Sequence, residues 1–153
     1  MTDRQPSTDA VFVAILDGDK VLLQLRKNTG WLDGCYDLPS GHVEPGETFL
    51  RTGQREVQEE TGLKIKEEDL ELFHVTQHDG GARGPYTYLI FRTSAWSGTP
   101  KTEDPEKVGG LRFYPLNSLP EKTVPYVKRA LDDITTKKVT FAYFGADGKE
   151  RLS

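Results

Sequence analysis

Cysteine is nearly absent from this chain: Cys35 stands alone, so an internal disulfide framework is excluded. Positive charge is not in excess either. Twenty Lys and Arg against 24 Asp and Glu leave a formal net charge of −4 and a pI near 5.4, which argues against broad electrostatic binding to nucleic acid or to an anionic membrane surface. An anionic substrate would have to be met by cations placed locally. No apolar run approaches the ~20 residues needed to cross a bilayer. The opening MTDRQPSTD has neither the basic region nor the apolar stretch of a signal peptide. Repeats and low-complexity segments are also missing. The expectation is a cytoplasmic protein that neither inserts in a membrane nor binds nucleic acid stably.

What is present is the composition of a globular domain. The chain has 153 residues, 35% of them hydrophobic and 29% charged, with seven Phe, six Tyr and two Trp, enough to bury a core of its own. Residues 1–8 are polar and read as a flexible tail, residues 9–144 as one domain, and residues 145–153 as a closing turn and tail. Ala10 to Leu16 and Lys20 to Arg26 flank Asp17-Gly18-Asp19, the pattern of a hairpin. Cys35 to Pro39 is a short extended piece, and Gly41 to Glu47, holding Pro45-Gly46, reads as an irregular loop. Leu70 to Gln77 and Tyr86 to Ala95 are rich in aromatic and β-branched residues and predict two further strands. A long polar loop is expected from Trp96 to Gly110, a strand at Leu111 to Tyr114, a helix over Val124 to Ile134 and a last strand at Val139 to Phe144. That last strand could be an edge or could pair across a dimer, so both monomer and homodimer stay open. The pattern is α+β, a mixed sheet flanked by helices.

The segment from Gly41 to Leu63, GHVEPGETFLRTGQREVQEETGL, concentrates the chemistry. Thr48 suits an N-cap and Gly62 a C-terminal left-handed position, which brackets a helix of about 13 residues. On that helix Leu50, Gly53 and Val57 share one face, while Glu56, Glu59 and Glu60 share the next. A mid-helix glycine costs roughly 0.5–1 kcal/mol against alanine, so Gly53 implies a close approach of helix to sheet. Like charges three and four residues apart cost roughly 0.2–0.5 kcal/mol per pair without a counterion. With Glu44 and Glu47 nearby, the acidic crowd asks for a cationic partner, and a divalent metal is the obvious candidate.

This segment resembles the box of the Nudix hydrolase family, GX5EX7REUXEEXGU with U aliphatic, and matches it at every fixed identity and both aliphatic positions. The resemblance implies an α/β/α sandwich with a mixed sheet between helices. It also implies hydrolysis of a phosphoanhydride in a nucleoside diphosphate linked to another moiety, dependent on Mg²⁺ or Mn²⁺. Hard cations of this kind take oxygen ligands and complete their shells with water and substrate phosphate. By resemblance, Glu56, Glu59, Glu60 and the carbonyl of Gly41 hold metal, and Glu47 with Arg55 locks loop to helix. Glu56 is the first choice of general base, with Glu103 and Glu106 as alternatives and Asp104 behind them. Arg26 and His42 resemble positions that contact phosphate in MutT-type members, and Trp31 and Tyr36 are candidates to stack on a base.

The residues outside the box speak to substrate. The stretch around Thr76 to Ala82 contains neither the proline common in members acting on ADP-ribose nor the tyrosine of dinucleoside polyphosphate members. This leans toward a small MutT-like enzyme converting a nucleoside triphosphate to monophosphate and pyrophosphate. The asparagine with which bacterial MutT reads an oxidised guanine falls near Lys122-Thr123 and has no counterpart. Two other readings stay open: a nucleotide-sensing Nudix module that does not cut, and an isoprenoid diphosphate isomerase, which would need Cys35 as a catalytic residue.

Overall fold

A computed structural model describes residues 3–151; Met1, Thr2, Leu152 and Ser153 of the two expected tails lie outside the described residues. In chain order the strands and first helix are β1 (Thr8–Asp17), β2 (Lys20–Arg26), β3 (Tyr36–Asp37), β4 (Ser40–His42) and α1 (Phe49–Thr61). There follow β5 (Glu71–His78), β6 (Tyr86–Thr93), β7 (Val108–Pro115), α2 (Pro125–Leu131), β8 (Thr140–Phe144) and β9 (Glu150–Arg151). Neither helix is long and apolar enough to cross a membrane.

One curled sheet runs β3-β2-β1-β6-β5-β8-β9, with β4 added against β1 and β7 against β2. The first two strands form the hairpin that Asp17-Gly18-Asp19 implies, paired Leu16 to Val21 and Asp17 to Lys20. Beyond it β1 leaves β2 and pairs in parallel with β6, from Thr8 opposite Tyr86 to Ile15 opposite Thr93. The β5–β6 pair is antiparallel and the β5–β8 pair parallel, so the sheet is mixed.

Strand period 2 sorts β1 between the two faces. Val11, Val13 and Ile15 are buried with Val57 and Leu63 on the α1 side. Ala10, Phe12 and Ala14 are buried with Val127, Ala130 and Leu131 on the α2 side. Both faces being covered, β1 reads as a continuous apolar run, and each buried aliphatic contributes roughly 1.5–3 kcal/mol. Gly53 lies where α1 crosses this strand: a Cβ there would sit 3.3 Å from Val13 and 3.2 Å from Leu70. The close approach expected of that glycine is present.

Four details depart from the expectations of sequence. Gly41 and His42 belong to a strand, because the backbone of β4 pairs with Ala10 and Val11 of β1 before Pro45-Gly46 turns the chain. Val108 already pairs with Arg26, so β7 starts inside the expected polar loop. The second helix ends at Leu131, and Ile134 is carried in single turns that keep its side chain buried. Finally, β8 pairs with β9 within the same chain, Tyr143 opposite Arg151 and Phe144 opposite Glu150.

Candidate active site

The helix that carries the acids is defined at both ends. Thr48 Oγ1 accepts from the Arg51 N–H at 3.1 Å, and Gly62 takes φ of 71° while its N–H donates to the Gln58 carbonyl. The last carbonyls of α1 are satisfied by the 101–103 segment: the Lys101 N–H donates to Thr61 at 2.7 Å and the Glu103 N–H to Glu59 at 3.1 Å. Only glycine fits at position 62, where a Cβ would meet the Lys101 carbonyl oxygen at 2.5 Å.

Arg55 is the hub of the charged face. Its Nε and Nη2 donate to the two Glu47 carboxylate oxygens at 2.7 and 2.9 Å, a bidentate pair of high geometric specificity. Thr52 Oγ1 donates to the same carboxylate at 2.6 Å, and these bonds, Arg55 first, hold Glu47 down to about 2. Arg55 Nη2 also reaches the His42 carbonyl, fastening β4 to α1. Its Nη1 lies 2.7 Å from Glu56 and 3.5 Å from Glu59. The brace expected between Glu47 and Arg55 is present, and the same guanidinium also serves as counter-charge for two of the helical acids.

That counter-charge is incomplete. Burial pushes the Glu56 carboxyl above the usual range despite Arg55. Burial, followed by the charge on Glu56, pushes Glu60 well above it. Glu60 Oε2 accepts from the Ser40 N–H at 2.7 Å and from Gln24 Nε2 at 3.3 Å. Gly41 faces Glu56 so closely that a Cβ would fall 2.0 Å from its carboxylate. The box glycine is therefore required for the glutamate to lie along the backbone of β4. Among the described residues, no three acidic, histidine or cysteine side chains converge as a preformed metal cage. The donor chemistry nevertheless suits a hard dication: all-oxygen, crowded, and short of positive charge.

A cavity of about 360 Å³ opens beside this face, with Gly41 and Glu60 in its lining. Aromatic side chains from several elements build its walls. Tyr88 packs on Phe12 and Tyr126 with ring centroids 5.0 and 4.9 Å apart, and Trp31 meets His78 edge-on at 6.0 Å. The Arg83 guanidinium lies 4.9 Å from the Trp31 ring centre, and both residues line the cavity. Asp37, also in the lining, is fully buried and pairs with Arg26 Nη1 at 3.0 Å. Burial raises its carboxyl to about 6 against the pull of Arg26.

The structure brings Gly41, Glu60, Arg26, His42 and Trp31 of the expected residues to this one cavity. Arg26 is partly committed elsewhere: Nε donates to the Trp31 carbonyl at 2.8 Å and Nη2 to Thr29 at 3.0 Å, besides the pair with Asp37. Tyr36 is outside the lining and packs edge-on against Tyr114, centroids 5.5 Å apart. Glu103 and Glu106 are exposed and do not line the cavity; Asp104, from the same loop, does. Sequence reasoning missed Asp37, His78, Arg83, Tyr88, Lys107 and Tyr126, all in the lining. The alternation of Tyr86 and Tyr88 on β6 was the only local signal, since the others are spread over separate segments.

Comparison with known proteins agrees with this geometry. A crystal structure of a MutT NUDIX hydrolase from Burkholderia pseudomallei superposes with a TM-score of 0.78, covering 86% of this chain and all of that one at 26% identity. The fold is thus the Nudix α/β/α sandwich of MutT-like structures. A model of the NUDIX domain matches residues 6–134, and the chain belongs to the Nudix family. It is 32% identical over 114 residues to an ADP-ribose pyrophosphatase of Methanocaldococcus jannaschii, covering 74% of this chain and 66% of that protein. It is 36% identical over 115 residues to the human 8-oxo-dGDP phosphatase NUDT18, covering 72% of this chain and 32% of that protein. Two relatives of similar identity thus carry names with different nucleotide substrates.

Proposed function

We propose that the chain is a divalent-metal-dependent pyrophosphohydrolase that cleaves a phosphoanhydride bond of a nucleoside diphosphate linked to a second moiety. The substrate class favoured is the nucleoside triphosphate, released as monophosphate and pyrophosphate. The observation that carries this reading is the junction at Glu60 and Gly41, where the acidic face of α1 becomes part of the lining of an aromatic cavity. A flat base suits the aromatic end and a polyphosphate the acidic, metal-binding end.

Glu56, Glu59, Glu60 and the Gly41 carbonyl would hold Mg²⁺ or Mn²⁺. When bound, such an ion neutralises charge on phosphate oxygens and makes a coordinated water acidic near neutral pH. Glu47 positions Arg55, and Arg55 in turn orients Glu56 and Glu59. Glu56 is the proposed general base. Asp104 replaces Glu103 and Glu106 as the alternative, because it alone of the three lines the cavity. His42 stands at the cavity as a proposed phosphate contact, and Trp31 offers a face for the base. The protein would act on small nucleotides in the cytoplasm.

A screen of the purified protein with Mg²⁺ or Mn²⁺ against NTPs, dNTPs, nucleotide sugars, ADP-ribose and dinucleoside polyphosphates tests this, with products resolved by chromatography. Metal-dependent release of pyrophosphate from a triphosphate is the expected result. Turnover of ADP-ribose alone would keep the chemistry and change the substrate. Nucleotide binding with no turnover would overturn the enzyme in favour of a sensing module. Cys35→Ser should retain full activity, since the hydrolytic reading gives that thiol no role.

A further inference from the structure

Gln24 occupies a position where stability alone would place a hydrocarbon. It lies within β2 directly after Val21, Leu22 and Leu23, is 4% exposed, and pairs across the sheet with Asp37 on one side and Leu111 on the other. A buried amide is tolerated when all its polar atoms are satisfied. This one is not. Nε2 donates to the Leu38 carbonyl at 3.4 Å and to Glu60 Oε2 at 3.3 Å. Because both partners are acceptors, the nitrogen must face them, and Oε1 is left buried without a donor. Methionine would fill nearly the same volume with no orphaned atom.

The other end of the interaction explains the arrangement. Glu60 Oε2 receives two donors, the Ser40 N–H and Gln24 Nε2, from two different segments of chain. Two donors converging on one oxygen fix the plane of a carboxylate, while no hydrogen bond to Oε1 occurs among the described residues. Oε1 is thereby left available as a ligand atom. The second bond, from Gln24 Nε2 to the Leu38 carbonyl, fastens β2 to the segment leading into Gly41, so one side chain registers the glutamate against the backbone that carries the other box ligand.

We infer that Gln24 is a positioning residue for Glu60, held at a core position because its N–H orients the metal-facing carboxylate. This rests on the hydrolase reading above. Outer partners of metal ligands typically change metal affinity or activity by about 10–100-fold when removed.

The test compares Gln24→Met with the wild type by thermal denaturation, by Mn²⁺ titration of the nucleotide-free protein followed by electron paramagnetic resonance, and by steady-state kinetics. The expected result is a Tm equal to or above that of the wild type, Mn²⁺ binding weakened about 10-fold, kcat lowered by a similar factor, and KM unchanged. Gln24→Leu, which likewise lacks the N–H donor, should show the same loss and serves if the methionine variant does not fold. Wild-type Mn²⁺ affinity and kcat in either folded variant would overturn the inference. So would a raised KM alone, which, since Gln24 also lines the cavity, would mark it as a substrate contact rather than a partner of Glu60. A wild-type protein that neither binds Mn²⁺ nor hydrolyses a nucleotide would overturn the hydrolase reading itself, and that result needs no variant to be seen.

Discussion

The acidic face of α1 and the aromatic cavity beside it meet at Glu60 and Gly41, yet they are assembled by opposite means. The acidic face is local: three glutamates at helical spacing, a cap at each end, and a loop glutamate brought within 2.7 Å of Arg55. The cavity is non-local: Phe12, Trp31, Asp37, His78, Tyr88 and Tyr126 converge from separate segments. Their electrostatics differ as well. On the helix an arginine is shared among several carboxylates, whereas in the cavity one arginine serves one buried aspartate. On the proposed reading, charge in the first region serves a cation and aromatic surface in the second serves a flat base.

The contrast is sharpest in the effect of removing one group from each region. Glu59→Gln or Glu60→Gln should lower kcat by roughly 10²–10³-fold, the scale on which lost electrostatic stabilisation of a transition state is felt. Tm should hold, because like-charge repulsion is relieved; full activity in steady-state assays would sink the metal assignment. Gly41→Ala should come next. Its Cβ would overlap the Glu56 carboxylate, so kcat should fall about 10–100-fold while circular dichroism shows the same fold.

Trp31→Ala acts in the cavity and should raise KM about 10-fold with little change in kcat, as expected when base stacking of roughly 1–3 kcal/mol is lost. A fall in kcat without a change in KM would break the division of labour between the two regions. The smallest effects are in pH dependence, and they run in opposite directions. Glu47, held at about 2 rather than 4.5, contributes stability that is complete above pH 4.5 and is lost as the pH falls toward 2. Asp37, raised from 3.8 to about 6, is bound more tightly to its proton in the folded chain, so stability declines as the pH rises from 3.8 through 6. Denaturant titrations across this range should lose the first slope in Glu47→Gln and the second in Asp37→Asn. Slopes of the same sign would refute the contrast.

How much was legible in advance follows the same division. Thr48, Gly53, Val57 and Gly62 act through neighbours on their own helix or the surface it touches, and each took the place its spacing implied. The link between Glu47 and Arg55 was implied by the resemblance to the Nudix box rather than by spacing, and the structure contains it. Tyr36 was a candidate for stacking because it is aromatic and near the loop, but β3 turns it toward Tyr114. Glu103 and Glu106 were candidates because they are acidic, but only the geometry of their loop could select Asp104 for the cavity. Gln24 looked like an ordinary alternating polar residue of a hairpin. Its burial appeared only once β3 and β7 both paired with β2.

By itself, the sequence determined the helix, its caps, the sharing of one face by Glu56, Glu59 and Glu60, and the family to which the chain belongs. All of these depend on residues within a few turns of one another, where backbone geometry leaves little choice. Tertiary structure alone decided that Asp37 is buried against Arg26, that Arg83 lies over Trp31, and that Gln24 points its amide at Glu60. Those contacts are made by residues far apart in the chain, and their geometry is fixed by the curl of the sheet and the way its two faces are covered.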